Sequence, residues 1–214
     1  MRFIHTADIH LGASPDAGSA YSQRRAEELW NSLERLVKVC EEEQVDLLLI
    51  AGDLFHRQPL LRELKEVDYL FSQLTHTKIV FIAGNHDYLK PSSYYLTYQW
   101  KSQVYPLLEQ TMGFVEFEEL GTSVYGFSYE QKEIREALYT DAFPQNKQPV
   151  EILIAHGGDE KHIPIQRNNI MNLGYDYVAL GHIHRPMEIE KNHIYYSGSL
   201  EPTDKNDVGK HGYI

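Results

Sequence analysis

The spacing of apolar residues predicts alternating strands and helices in the first half of the chain. Residues 2–7, 46–51 and 78–83 are short, mostly apolar runs of the kind that forms strands. Between them, apolar residues recur every three or four positions over residues 23–43 and 61–74, which predicts two amphipathic helices. The run at 46–51 is nearly continuous, as in strands buried on both faces. This half therefore predicts a parallel sheet covered by helices.

The second half has a different pattern. A further helix is predicted over residues 93–106, where Leu96, Trp100 and Val104 lie along one side. Short strands follow at 114–117, 123–127, 151–155, 177–180 and 194–197, with one short helix at 133–139. We expect an α/β fold of four layers, with two facing mixed β-sheets flanked by helices. Residues 1–214 are interpreted as a single domain, with the proline-containing stretch 141–149 as a weak candidate for a boundary.

Composition and charge narrow the functional classes. The 214 residues, 42% hydrophobic and 24% charged, are typical of a globular protein. The formal net charge of −11 counts against a plain DNA-binding module, because such a chain repels polyanions. It counts less against an enzyme that acts on nucleic acid, since divalent cations in the site can invert the local field.

The lone cysteine and the apolar runs bear on location. Cys40 cannot form a disulfide within the chain and lies on the apolar face of the first predicted helix. We interpret it as core packing in a reducing, cytoplasmic setting. The longest apolar run, residues 47–51, is far shorter than the about 20 residues that span a bilayer, so no membrane partner is expected.

Side chains that can bind metals fall at the ends of predicted strands in five places. Four of these places share one pattern, in which an apolar strand stops at or near glycine or alanine and a polar residue follows. Loops at the carboxyl ends of strands in an open α/β sheet can converge on one spot. Imidazole and carboxylate ligands suit Mn, Fe or Zn, and the lack of cysteine argues against a structural zinc site. The residues are Asp8, His10, Asp53, His56, Asn85, His86, Asp87, His156, His182 and His184.

Each of these groups alone has an ordinary structural explanation. Asp53 could begin a strand-to-helix turn, and His182 could be a surface histidine. The combination favours a functional site, because six of the eleven histidines fall in these loops. The other five are assigned to packing or surface positions, and they are His5, His76, His162, His193 and His211.

The same residues carry a resemblance to a known superfamily, over positions 8 to 184. Asp8-x-His10, Gly52-Asp53-x-x-His56, Gly84-Asn85-His86-Asp87, His156 and Gly181-His182-x-His184 resemble the five-motif set of the calcineurin-like metallophosphoesterases. Within that superfamily, residues 5–12 and 52–56 resemble the nuclease subunit of the SbcCD-type DNA repair exonuclease, and shorter bacterial relatives of the YhaO type share parts of this match. Residues 196–202 are also similar, although Ser197 stands where that nuclease family usually has proline.

The resemblance implies a centre of two divalent cations, Mn²⁺ by analogy with the nuclease family, with Fe and Zn as alternatives. The first cation would be held by Asp8, His10, Asp53 and His184. The second would be held by Asp53, Asn85, His156 and His182, so that Asp53 bridges the two. His86 would act as a general acid toward the leaving oxygen, with Asp87 either orienting it or capping a turn. His56 would steady the phosphate or the leaving group, unless it is a packing histidine.

The resemblance also implies a function. We expect a two-metal phosphodiesterase, specifically a DNA exonuclease and endonuclease of DNA repair or recombination. Two alternatives remain. A small-molecule or nucleotide phosphodiesterase or phosphatase would keep the same ligands in an enclosed site, and the acidic composition mildly favours it. A non-catalytic scaffold is disfavoured because no ligand is missing.

Partners are implied in the same way. The expected partners are DNA, a second copy of the chain and an SbcC-like ATPase. The dimer contacts would come from helices at residues 60–74 and 93–110, with Tyr94, Tyr95, Tyr98 and Trp100 as an apolar surface, unless these aromatics pack on their own domain. Members of the nuclease family usually continue into a capping domain that grips DNA, and we expect it to be absent or truncated here.

Overall fold

A computed structural model describes residues 1–214 and contains two β-sheets that face each other. The first sheet has four strands, all parallel, which run in spatial order from β1 to β4. They are β1 (Phe3–Thr6), β2 (Leu47–Ala51), β3 (Lys78–Ile82) and β4 (Val104–Pro106). Because parallel strands leave the sheet at the same edge, the loops after β1, β2 and β3 are neighbours.

The second sheet has six strands in the order β5-β6-β7-β8-β10-β9 and is mixed. Its strands are β5 (Gly113–Phe117), β6 (Thr122–Gly126), β7 (Val150–His156), β8 (Tyr177–Gly181), β9 (Met187–Glu190) and β10 (Ile194–Tyr196). The strands β6, β7, β8 and β10 run parallel, whereas β5 and β9 pair antiparallel at the two edges.

Alternating side chains along each strand build the layers. On the first sheet, Ile79 and Phe81 point to a core shared with the helices α1 (Ser22–Glu42) and α2 (Leu61–Phe71). Their neighbours Val80 and Ile82 point the other way, into a second core between the two sheets. A third core covers the outer face of the second sheet beneath loops and the short helix α3 (Arg167–Met171). The predicted four-layer α/β fold is confirmed, with few helices outside the second sheet.

The two long helices form where the apolar spacing predicts them. In α1 the buried face is built by Leu29, Leu33, Leu36, Val37 and Cys40. In α2 the carboxylate of Glu63 accepts the backbone N–H of Leu60 at 2.8 Å, which satisfies one free donor at the start of the helix. No helix of the protein combines the length and the apolar character that crossing a bilayer requires.

The helix predicted over residues 93–106 is not formed. Only one turn of 3₁₀ helix, Tyr94–Leu96, precedes β4. The carboxylate of Asp68 on α2 accepts the backbone N–H groups of Lys101 and Ser102 at 3.1 to 3.2 Å, which holds the chain in an irregular path. Trp100 still packs against the first core. Its apolar spacing with neighbouring residues therefore reflects burial and not helical structure.

The helix predicted over residues 133–139 is also wrong. Ile134 forms an isolated bridge with His162, and turns follow it. Backbone hydrogen bonds from Ile134 to Lys161 at 2.8 Å and from Ile163 to Ile134 at 2.7 Å tie this segment to the loop after β7. The apolar residues Ile134 and Tyr139 fill the third core from this loop.

Candidate metal centre

All seven predicted ligands lie together where the strands of both sheets end. Asp8 and His10 follow β1, Asp53 follows β2 and Asn85 follows β3. From the second sheet, His156 is the last residue of β7, and His182 and His184 follow β8. Asp8, His10, Asp53, Asn85 and His156 are buried, whereas His182 and His184 are partly exposed. The sheets therefore bring residues that are up to 176 positions apart in the chain to one edge.

The backbone at these positions is unusual. Asp8, His10 and Asp53 have φ of 51°, 52° and 51°, and His182 has φ of 93°. Residues other than glycine adopt such positive values uncommonly, because the Cβ atom then crowds the backbone. Four of the nine positive-φ residues other than glycine are thus predicted ligands. Strain of this kind gathers at functional sites, where the surrounding structure holds it in place.

Two glycines allow the loops to come this close. A Cβ on Gly84 would collide with the carboxylate of Asp53, and one on Gly52 would collide with the ring of His156. Gly52 also has φ of 90°. The glycines that end β2 and β3 are therefore required by the approach of the ligands to one another.

The first group of ligands surrounds one point. The Nε2 atom of His10 lies 3.0 Å from Nε2 of His184 and 3.9 Å from Oδ1 of Asp8. Nε2 of His184 is also 3.9 Å from the same Asp8 oxygen. Oδ2 of Asp53 lies 3.8 Å from His10 Nε2. One further imidazole nitrogen and two carboxylate oxygens are therefore grouped within 4 Å of His10 Nε2.

The second group is arranged in the same way. Oδ1 of Asn85 lies 2.9 Å from Nε2 of His156 and 3.0 Å from Nδ1 of His182. Oδ2 of Asp53 lies 3.4 Å from Nε2 of His156. The same carboxylate oxygen therefore contacts both groups, as a bridging ligand requires. Its other oxygen, Oδ1, accepts the backbone N–H of His86 at 2.9 Å.

The donor set fits divalent cations. Oδ1 of Asp8 is buried without a hydrogen-bond partner, while its other oxygen accepts the backbone N–H of His182 at 2.8 Å. A buried carboxylate oxygen left without a partner is costly unless a cation or a proton occupies the place in front of it. Asn85 contributes a neutral oxygen and the histidines neutral nitrogens, which is a combination that suits Mn, Fe or Zn.

The charges in the site respond to the same geometry. Burial raises the pKa of Asp8 to about 6, although the charges of His156 and His184 oppose this. Burial alone would also raise the pKa of Asp53, but the charges of His156 and His10 outweigh it and lower that pKa below its usual range. In His156 burial lowers the pKa, and the charge of Asp53 reverses this and raises it to about 9. A proton on His156 thus neutralises Asp53 when no cation does.

His56 and His86 lie at the open side of this centre. Their ring centroids are 4.7 Å apart, and the ring of His86 is 4.8 Å from that of His10. Nδ1 of His86 donates to the backbone carbonyl of His56 at 3.0 Å, so Nε2 is the ring nitrogen left for other partners. His56 is exposed, and its ring lies beside those of His10 and His86.

Asp87 does not orient His86. Its carboxylate accepts the backbone N–H of Phe55 at 3.0 Å, the backbone N–H of Gly84 at 2.8 Å and the hydroxyl of Tyr95 at 2.8 Å. Asp87 therefore ties the loops after β2 and β3 together, and it neither orients His86 nor caps the turn that follows. Burial raises its pKa to about 7, and the charge of Asp53 adds to this.

Two acidic residues in contact with the ligands were not foreseen. Asp159 accepts from His182, and Asp207 accepts from His184. Asp159 stands three residues after His156, in a loop that no strand pattern distinguishes. His162, assigned above to packing or the surface, donates to Asp159 at 2.9 Å and lies beside His182.

Comparison with known proteins identifies the family. Residues 1–186 match the family model for calcineurin-like phosphoesterases. The chain belongs to the calcineurin-like phosphoesterase family. This family uses a binuclear metal centre to hydrolyse phosphoesters, and the chain groups histidines and carboxylates as such a centre needs. The predicted membership of the metallophosphoesterase superfamily is therefore confirmed.

Similar proteins include a bacterial metallophosphoesterase and a solved structure from Thermus thermophilus. The chain is 28% identical over 235 residues to the uncharacterized metallophosphoesterase YhaO of Bacillus subtilis (strain 168). This match covers 100% of the chain and 56% of YhaO, so the chain spans little more than half the length of that relative. The crystal structure of TT1561 of Thermus thermophilus superimposes with a TM-score of 0.58 at 12% identity, over 94% of this chain and 90% of that one. This second likeness concerns the fold alone.

Proposed function

We propose that this phosphoesterase is a phosphodiesterase that binds two divalent cations and cuts DNA. The observation that carries the two-cation assignment is the position of Oδ2 of Asp53, 3.8 Å from the His10 nitrogen and 3.4 Å from the His156 nitrogen. One cation is assigned to Asp8, His10, Asp53 and His184. The other is assigned to Asp53, Asn85, His156 and His182.

Each residue around the centre has a separate role in the proposed reaction. When bound, the two cations neutralise phosphate charge and promote ionisation of the attacking water. In its doubly protonated form, His86 keeps Nδ1–H on the His56 carbonyl and donates the proton of Nε2 to the leaving oxygen, which leaves a neutral ring. His56, exposed at the rim, contacts the phosphate or the leaving group. Asp53 holds the backbone N–H of His86 and so keeps this acid next to the centre.

DNA as the substrate is supported by residues 5–12 and 52–56, whose likeness to the repair nucleases is given above. The rim formed by His56 and His86 is accessible from solvent, as cutting a polymer requires. Manganese is proposed on the same likeness. The competing candidate, a small-molecule or nucleotide phosphodiesterase or phosphatase, is favoured by one observation, the net charge of −11, which weakens attraction to a polyanion.

The proposed partners are a second copy of the chain and an SbcC-like ATPase. Tyr69 on α2 is 68% exposed, and Tyr94 and Leu96 in the 3₁₀ turn before β4 are 45% and 49% exposed, so each could contribute to a contact. The rest of the expected aromatic surface is not available. Tyr95 is buried, and Tyr98 and Trp100 pack against the first core. The dimer contact would therefore use α2 and Tyr94, and not a second helix.

The test is digestion of end-labelled single- and double-stranded DNA with Mn²⁺, beside bis(4-nitrophenyl) phosphate and 4-nitrophenyl phosphate. We expect cleavage of DNA and of the diester and little of the monoester. Asp53→Ala should lose both cations and reduce every activity to background, because Asp53 lies between the two groups of ligands. Metal content, measured by elemental analysis, should be two per chain in the wild type.

Three results would count against the proposal. Activity on a mononucleotide ester with none on either form of DNA would select the small-molecule alternative. Retention of both cations by Asp53→Ala would remove the bridging assignment. Less than one transition metal per wild-type chain after dialysis against Mn²⁺ would remove the metal centre itself.

A further inference from the structure

The two histidines that follow β8 are each held by a carboxylate on the side away from the centre. Nε2 of His182 donates to Oδ2 of Asp159 at 2.7 Å. Nδ1 of His184 donates to Oδ2 of Asp207 at 3.1 Å. The carboxylates come from different loops, Asp159 after β7 and Asp207 after β10. Neither belongs to the seven ligands assigned above.

The inner nitrogens of these histidines differ as well. His182 presents Nδ1 to the second group, 3.0 Å from Oδ1 of Asn85. His184 presents Nε2 to the first group, 3.0 Å from Nε2 of His10. A neutral imidazole carries one N–H and one lone pair, and an ionised carboxylate only accepts. Each carboxylate therefore fixes the N–H on the outer nitrogen and leaves the lone pair on the inner one. The two histidines, two residues apart, are held in opposite tautomers.

We propose that Asp159 and Asp207 are positioning residues, one for each metal site, that fix the ring orientation and tautomer of His182 and His184. This inference rests on the ligand assignment of the proposed function. Carboxylates behind metal-binding histidines hold the ring and make its inner nitrogen a better ligand. Here the two sites are tuned by separate loops, so each can be altered without the other.

The hydrogen bonds around Asp159 hold its carboxylate in place to orient His182. Its Oδ1 accepts the backbone N–H groups of Lys161 and His162, at 2.7 and 3.0 Å. Nδ1 of His162 lies 2.9 Å from both carboxylate oxygens, and its ring centroid is 4.5 Å from that of His182. Backbone N–H groups and imidazole nitrogens surround the carboxylate, so Asp159 acts as a hydrogen-bond acceptor toward all of them.

The same contacts explain the cluster of Asp159, His162 and His182 without a third cation. These three side chains are close enough to hold a metal. The ring nitrogens that face Asp159 both donate to it at ordinary hydrogen-bond distances, and the carboxylate also accepts two backbone N–H groups. No lone pair of a ring nitrogen points into this cluster, so hydrogen bonds account for it completely.

Asp207 connects a different part of the chain to the centre. Its Oδ2 also accepts the backbone N–H of Thr203 at 3.1 Å and approaches the hydroxyls of Thr203 and Ser199 at 3.3 and 3.4 Å. The carboxylate thus holds the segment after β10 against His184. Position 207 lies beyond residues 1–186, which match the family, so this contact involves a part of the chain outside the family pattern.

The experiment compares Asp159→Asn and Asp207→Asn with Glu160→Gln, which removes the same charge from an exposed neighbour. Binding of Mn²⁺ is titrated by the signal of the free ion. Loss of such a supporting group typically costs about 10- to 100-fold in metal affinity. We expect each Asp variant to weaken one of the two sites by about this factor and Glu160→Gln to leave both unchanged.

Pairing the variants with ligand changes identifies the site that each carboxylate serves. On a His182→Ala background, Asp159→Asn should have no further effect, whereas Asp207→Asn should still weaken binding. On a His184→Ala background, the two results should be exchanged. Additive effects of Asp159→Asn and His182→Ala would overturn the inference, as would unchanged affinity in the Asp variants of a wild type that binds two cations. A wild type that binds fewer than two would contradict the proposed function instead.

A measurement on the wild type avoids any risk that a variant fails to fold. In the Zn²⁺-loaded protein, long-range ¹H–¹⁵N spectra report which ring nitrogen carries the proton. We expect His182 to be protonated at Nε2 and His184 at Nδ1. Both histidines in the same tautomer would overturn the proposal. Lower melting temperatures of the metal-free Asp variants, with unchanged affinity at both sites, would leave only a structural role and would overturn it too.

Discussion

At the scale of single residues, His86 is the side chain whose geometry separates proton transfer from metal binding. It follows Asn85, an assigned ligand, yet its own ring is not among the seven. Its Nδ1 is engaged with the His56 carbonyl at 3.0 Å, so the ring is oriented before any substrate arrives. In the protonated ring, Nε2 then carries a transferable proton on the accessible side.

His86→Gln tests this role. Glutamine keeps a polar side chain of similar reach but has no proton to transfer, so metal content and melting temperature should be unchanged. General acid catalysis is typically worth about 10²- to 10⁴-fold, and turnover on DNA should fall by that factor. The loss should be much smaller on bis(4-nitrophenyl) phosphate, because nitrophenolate leaves without protonation. Equal losses on both substrates, or a lost cation, would remove His86 from the acid role.

The sequence predicts that the seven ligands and both rim histidines lie close together, because each stands near the end of a recognisable strand. Asp159 and Asp207 lie in loops without periodic structure, and their partners, His182 and His184, are 23 residues away in each case. A hydrogen bond across that separation depends on how the loops fold back. Only the three-dimensional arrangement assigns these two carboxylates to the histidines.

At the scale of elements, the predicted strands and helices show which structure the local sequence determines and which it does not. β1, β2, β3 and the first two helices form within a few residues of their predicted bounds, because apolar spacing and burial agree there. Residues 93–106 have the same spacing without the helix. The carboxylate of Asp68, on α2, accepts hydrogen bonds from the backbone N–H groups of Lys101 and Ser102, so these groups do not form helical hydrogen bonds. Such competition is not visible in a local window of sequence.

Gly84→Ala tests whether the turn after β3 is built for the metal centre. An added Cβ would collide with the carboxylate and backbone N–H of Asp53, which lie against Gly84. We expect a loss of about 1–3 kcal/mol in unfolding free energy, as for overpacking in a filled interior. Mn²⁺ affinity should also fall, because Asp53 must move. Chemical denaturation and Mn²⁺ titration measure the two effects.

Gly113→Ala in β5 is the matched control. Its Cβ would meet Leu107 and Gly126 at ordinary contact distances of 3.8 and 3.9 Å. This variant should keep wild-type metal affinity and nearly wild-type stability. If Gly84→Ala behaves like Gly113→Ala, the turn can accommodate a Cβ atom, and the close approach of the two loops is not required for metal binding.

At the scale of the whole molecule, the metal centre joins the two sheets. Asp8, Asp53 and Asn85 come from the ends of strands in the first sheet, whereas His156 and His182 come from the second. In the metal-free protein, the contact between Nε2 of His156 and Oδ2 of Asp53, 3.4 Å apart, is one of those that join the sheets at this edge. A cation at this place would replace the proton that holds the pair together. Folding stability, metal binding and pH are therefore coupled.

The coupling predicts how stabilisation by Mn²⁺ depends on pH. The pKa of His156 is raised from 6.5 to about 9 in the folded, metal-free chain: burial lowers it, and the charge of Asp53 reverses the effect. A raised pKa means that the proton stabilises the fold fully below about pH 6.5 and that this stability is lost as pH rises through about 9. The metal-bound chain has no such loss, since cation and proton compete for the same nitrogen. The increase in melting temperature caused by Mn²⁺ should therefore grow steadily from about pH 6.5 to about pH 8.5, measured by calorimetry with and without a chelator.

Two variants serve as controls. His76→Gln, which removes an exposed histidine paired with Asp46, should show the same growth. His156→Gln keeps the four ligands of the first site, so Mn²⁺ should still stabilise it, but that stabilisation should no longer grow over this pH range. An increase in the wild type that stays constant with pH would contradict the coupling.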